Sequence, residues 1–233
     1  MSTTTKSLAI NTGQWAHCAY GANSWNSDEN GVLYAARDAQ HSYYVAKLSF
    51  NTNNVNWIGI PSLTLSLKTS ENSNPYGTCA VLSTESLKPH NIYDVIYDAA
   101  YFAFNEADIK NISGYITHKN CTSHTVSETK PKDTIFSYDF GDINLSQNTT
   151  YYIYIIRRIS SNTNLNGWTA FYSPCASSNA VNPPIVLEYK APHVNIHNGT
   201  EFKKYIPYVY DDGKFKRCIP YIHNGTKWVK YSG

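Results

Sequence analysis

A chain of 233 residues has room for one large domain or for a domain with an appendage. Charged residues make up only 15% of it against 20 tyrosines, and Asn, Ser and Thr fill the gaps between apolar runs, the composition of an extracellular or virion β protein. The net charge of +2 is uneven, because residues 191–233 hold seven Lys or Arg against three acids and the rest is slightly acidic; that is too weak and too local for a nucleic-acid footprint, and no apolar run approaches the ~18 residues of a membrane span.

Met1 to Lys6 carries no apolar h-region, so no secretory signal is expected. Residues 7–30 place Trp15 and Trp25 in a stretch rich in Gly, Asn and Ser, read as strand, loop and strand edge. From Gly31 the chain turns apolar, with runs at Val32 to Ala36 and Tyr43 to Phe50. Trp57 to Pro61 leads into Ser62-Leu63-Thr64-Leu65-Ser66-Leu67-Lys68, whose strict alternation predicts a half-buried strand with Leu inward and Ser or Thr outward. Asn72 to Gly77 is turn chemistry, and Thr78 to Thr84 is a further strand.

Ile92, Val95, Ile96, Ala99, Ala103 and Ala107 fall at helical spacing, which predicts one short helix within Ile92 to Ile109. Gly114 to Thr117 and Ile135 to Phe140 read as strands. Thr149 to Arg157 is nearly continuous in β-branched and aromatic residues, the pattern of a central strand covered on both faces. Gly167 to Tyr172 and Ile185 to Tyr189 complete the set. Many short strands with polar turns predict an all-β fold: an antiparallel β-sandwich of jelly-roll or Greek-key type over residues 1–190.

Residues 191–233 are written in three copies of 13 residues. Phe202, Phe215 and Trp228 keep the period, as do Ile206-Pro207 and Ile219-Pro220. Asn198-Gly199, Asp212-Gly213 and Asn224-Gly225 are hairpin signals, since a tight primed turn needs positive φ, so each copy reads as strand, turn, strand. Pro207 and Pro220 cannot donate to a ladder and belong at strand starts or edges. Strands this short bury little, so the copies are expected to stack on one another, on the body or on another subunit, with Phe202, Phe215 and Trp228 as their core. The array has no capping segment before Gly233, which predicts a subunit interface and a homo-oligomer, a trimer first.

Motifs for catalysis are missing: there is no GxSxG elbow, no HExxH and no phosphate loop. His118, Cys121 and His124 have spacings that zinc could use, but a tetrahedral site needs a fourth ligand that the segment does not name. Ser27 to Gly31 lacks the ligand ladder of a calcium loop and reads as an Asx turn. Asp139 and Asp142 flank a strand end, while Asp211 and Asp212 lie in a hairpin turn. No enzyme activity, metal or cofactor is therefore expected. Cys18, Cys79, Cys121, Cys175 and Cys218 are odd in number and scattered, so most are expected to be reduced.

Tyr and Trp join a flat apolar face to a polar handle, which suits sugar stacking and protein interfaces alike. Trp57 and Trp168 lead into strands and belong to the core. The binding candidates are Trp15, Trp25, Phe202, Tyr208, Phe215, Tyr221 and Trp228. The basic residues after the tail aromatics, Lys203-Lys204, Lys216-Arg217 and Lys230, form a solvated face or a contact to anionic cell-wall polymer.

The unit Pro-Tyr-Ile/Val-x-Asn/Asp-x-x-x-Phe/Trp-x-Lys resembles short C-terminal repeats of minor tail and other virion proteins of phages and prophages of Gram-positive and gut bacteria. In the body, Trp15 to Gly21, Tyr34 to Asp38 and Asn148 to Tyr152 are similar to β-sandwich tail proteins of the same genomes. The resemblance implies a non-enzymatic virion structural protein of the tail or capsid surface, assembled in the bacterial cytoplasm and released by lysis. Its implied partners are other virion proteins and host-surface glycan, with neither nucleic acid nor membrane. Cell-wall-binding repeats are a rival likeness, but they are longer and built on Gly-Trp pairs that these tail repeats lack. A carbohydrate-binding module is the alternative function, and a glycan-degrading enzyme ranks below it.

Overall fold

The computed structural model of the chain describes residues 3–17, 24–27, 31–37, 43–73, 78–89, 116–117, 130–157, 167–191, 194–197, 200, 202–211, 213–223 and 226–230. Its strands in chain order are β1 (Thr3–Leu8), β2 (Thr12–His17), β3 (Asn26–Ser27), β4 (Val32–Arg37), β5 (Tyr43–Asn51), β6 (Ile58–Lys68), β7 (Thr78–Ser83), β8 (Ile116–Thr117), β9 (Ile135–Asp142), β10 (Thr150–Arg157), β11 (Gly167–Tyr172) and β12 (Ile185–Lys190). The tail adds β13 (Val194–His197), β14 (Phe202–Tyr205), β15 (Tyr208–Asp211), β16 (Lys214–Arg217), β17 (Tyr221–His223) and β18 (Trp228–Lys230). The fold is all-β with antiparallel sheets.

One sheet runs β1-β12-β6-β9, and a larger one runs β11-β4-β5-β10-β7-β8 with β2 on β5 and β3 on β2. A single apolar cluster draws on both. The smaller sheet supplies Leu63, Leu65 and Leu67 of β6 with Tyr138, Phe140, Ile185 and Leu187, and the larger supplies Leu33, Leu48, Phe50, Leu82, Ile153, Ile155 and Phe171. Tyr138 spans the two, its ring edge-on to Phe171 at 6.3 Å and its hydroxyl 2.7 Å from Thr78 Oγ1. The hydroxyl is thereby satisfied in a place where an unpaired polar group is costly.

The alternation in β6 behaves as its sequence predicts, with Leu63, Leu65 and Leu67 fully buried and Ser62, Thr64, Ser66 and Lys68 only partly so. β10 is central, paired with β5 on one side and β7 on the other, and Ile153 to Ile156 are fully buried. Both its faces are covered because the outward Tyr154 lies under Trp25, whose ring stacks on it at 6.2 Å. Two irregularities bend β6. Its pairing with β12 shifts between Glu188 and Lys190, near Gly59 at φ +72, and its pairing with β9 shifts where Gly141 takes φ +65 and donates its N–H to Asp139 Oδ1 at 2.7 Å.

One element departs from the sequence reading. β1 is a full strand although Thr3 to Lys6 has no apolar alternation, whereas β2 falls in the stretch read as strand, loop and strand edge. Pairing supplies what pattern lacks: β1 runs along β12 from Thr3 to Leu8, and β2 runs along β5. Strand β1 exposes most of its side chains, as an edge does. The expected helix of Ile92 to Ile109 lies outside the described residues. Cys79, buried on β7, is disulfide-bonded, whereas Cys175 and Cys218 are not. Two of the three described cysteines are therefore unbridged.

Candidate functional site

The loop from Thr52 to Trp57 prepares the place where the tail meets the body. Thr52, fully buried, donates its hydroxyl to Ser146 O at 2.9 Å and accepts from Thr149 N at 3.0 Å, tying this loop to the one before β10. Trp57 is buried against Tyr189, as its lead into a strand implied, and its carbonyl takes two side-chain donors. That carbonyl accepts from Gln147 Nε2 at 3.0 Å and from Lys230 Nζ of the tail at 3.2 Å. Next to it Asn56 Nδ2 donates to Arg217 O at 3.1 Å.

The tail strands pair as three separate two-stranded ladders, β13 with β14, β15 with β16 and β17 with β18. Equivalent pairs recur: His197 with Phe202, Tyr210 with Phe215, His223 with Trp228. In the second hairpin Asp211 and Lys214 pair as well, and Gly213 takes the turn at φ +73. Asn198-Gly199 and Asn224-Gly225 lie outside the described residues. Pro207 and Pro220 lie immediately before β15 and β17, where no N–H is needed, and Pro207 O accepts from Cys218 N at 3.0 Å.

Alternation then sorts the side chains of the second hairpin into two unlike faces. Tyr208, Tyr210, Phe215 and Arg217 share one face, and Val209, Asp211, Lys214 and Lys216 share the other. On the first face, the Tyr210 and Phe215 rings meet edge to face at 5.0 Å, and the Arg217 guanidinium sits 5.9 Å from the centre of the Tyr208 ring. On the second, Lys216 Nζ binds Asp211 Oδ2 at 2.7 Å. The acid is thus spent on the charged face, and the aromatic face keeps its guanidinium. In the third hairpin Tyr221, His223, Trp228 and Lys230 occupy the corresponding positions.

These rings do not form the core of stacked hairpins. Phe215 is 74% exposed and Trp228 69%, and Tyr208, Tyr210 and Tyr221 are exposed too. The physical reason is the pairing: each copy closes its ladder on itself, and two short strands have no second layer to bury a ring against. Phe202 opens β14 opposite His197, but its side chain lies outside the described residues.

The two body candidates are set differently. Trp15 lies on β2, not in a loop, half-buried with its ring edge-on to Tyr34 at 5.4 Å and tilted against Tyr44 at 6.0 Å. Burial and the Glu71 carboxylate together push the Tyr34 phenol above its ordinary value. Trp25 donates its indole N–H to Leu87 O at 3.0 Å and lies on Tyr154, with Lys47 Nζ 4.9 Å from its ring centre. Both rings are committed to the body.

Sequence reasoning missed two residues. Tyr210 completes the aromatic face beside Arg217, already noted among the tail cations, and the register of the hairpin, counted outward from Asp212-Gly213, would have found it. Lys47, only 6% exposed, is capped by Ser86 Oγ at 3.1 Å and by the Trp25 and Tyr152 rings. Its burial lowers the ammonium below the usual lysine value; nothing in the alternating run Tyr43 to Phe50 marks it. Among the described residues no group of three or more His, Cys, Asp or Glu is placed to hold a metal ion. His118, Cys121 and His124 lie outside them, as do residues 28–30 of the calcium-type segment. Compared with protein-family models and with curated proteins, the chain matches none.

Proposed function

We propose that the protein is a non-enzymatic structural protein of a phage virion, carried on the tail or the capsid surface. In this reading residues 1–190 form a β-sandwich of jelly-roll or Greek-key type, and residues 191–233 are a hairpin appendage that attaches to neighbouring virion proteins or to the host surface. The single observation that carries it is the exposure of Tyr208, Tyr210, Phe215, Tyr221 and Trp228 on hairpins that bury none of them. Burying one such ring stabilises a complex by about 1.5–3 kcal/mol, so a run of exposed rings marks a contact surface. The apolar cluster shared by two sheets supports the sandwich.

The open edges of the hairpin ladders give self-association a route that leaves the aromatic faces free, and a trimer is the first expectation by analogy with other appendages. The second reading is a carbohydrate-binding module, favoured by the Tyr210 and Phe215 corner beside Arg217. Immunogold labelling of source particles with antibody to the purified chain separates the two. Label on the tail or capsid surface is expected, and a chain recovered only from particle-free medium would reject the virion assignment.

A further inference from the structure

We infer that the aromatic face of the second hairpin binds an acidic polysaccharide whose pyranose units carry carboxylates. This rests on the reading of the tail as an attachment surface and names its ligand class. Three observations select that occupant. Tyr210 and Phe215, edge to face at 5.0 Å and both exposed, form an open corner whose apolar walls suit the C–H face of a sugar ring. Arg217, one pair along the same ladder face and over Tyr208, holds a planar donor fork that matches a carboxylate. Successive residues on one strand face stand about 7 Å apart, so corner and fork are within reach of one uronic-acid unit.

Charge points the same way. Residues 191–233 hold seven Lys or Arg against three acids, and Asp211 is paired with Lys216 on the opposite face. A polyol phosphate chain would satisfy the cation but has no ring for the corner, and a neutral glycan would use the corner and leave the guanidinium without a partner. In the third hairpin Lys230 is turned to Trp57 O, which leaves Arg217 as the cation at this register position that is not bound to the body through its side chain. The second hairpin is therefore the primary site.

The test is titration of the full chain and of its Phe215→Ser and Arg217→Gln variants with polygalacturonate, dextran and polyglycerol phosphate, read by calorimetry in low and high salt. The wild type is expected to bind polygalacturonate more tightly than the other two, and added salt should weaken that binding. Each substitution should weaken it about tenfold or more, the cost of losing a charge-assisted contact or a stacking ring, while far-UV dichroism and melting stay unchanged because both side chains lie outside the core. Equal binding of polyglycerol phosphate, equal binding of dextran, or unchanged affinity in both variants overturns the inference. If no glycan binds while immunogold still places the chain on particles, the ligand class is wrong and the virion reading survives.

Discussion

Lys47 shows how far a single side chain departs from what its neighbours in sequence advertise. Its ammonium is buried between two rings and a serine hydroxyl, and no carboxylate among the described residues reaches it. Because burial lowers its folded value below 10.5, the unfolded chain holds the proton more tightly in the window beneath that value. Stability must then rise with pH across the window through this group. Urea unfolding of the wild type and Lys47→Met at pH 7 and pH 10 checks this: the wild type should gain on the variant at the higher pH, and a constant difference would contradict it. Tyr154 is a second residue-scale test. Its hydroxyl accepts from Leu87 N at 2.8 Å and donates to Glu85 O at 2.7 Å, so Tyr154→Phe should cost about 1–3 kcal/mol by leaving a buried N–H unpaired. An unchanged urea midpoint would show that water replaces it.

At the scale of elements, the legible parts were those whose pattern matches their burial. β6 alternates and is half-buried, β10 is apolar throughout and central, and the runs for β4, β5, β7, β9, β11 and β12 were found within a few residues. β1 was not legible, because an edge strand is made by its partner's ladder and Thr3 to Lys6 contributes only hydroxyls and a lysine. The tail was legible as hairpins through its period, while the fate of its rings was not, since spacing cannot tell a stacked core from an exposed face. A paired measurement tests the difference. Leu65→Ala, inside the cluster, should lower stability by about 2–5 kcal/mol, whereas Phe215→Ala should stay within about 0.5 kcal/mol in the same urea assay. A large loss at Phe215 would mean that the ring is buried in the folded chain after all.

For the whole molecule, the disulfide and the tail make independent demands. Alkylation of the native chain without reductant, followed by mass spectrometry, should label Cys175 and leave Cys79 in one intact disulfide; a labelled Cys79 would remove it. Deleting residues 192–233 should leave a folded body, since among the described residues the apolar cluster draws on nothing beyond Ala191, and should abolish self-association in sedimentation equilibrium. A truncated chain with the oligomeric state of the full one would place the interface elsewhere. The central claim is that the exposed rings of the hairpins form the attachment surface, and adsorption to host cells of particles carrying Tyr210→Ser, Phe215→Ser and Trp228→Ser together tests it most directly. Particles that incorporate the variant but adsorb poorly are predicted, and incorporation with undiminished adsorption would contradict the claim.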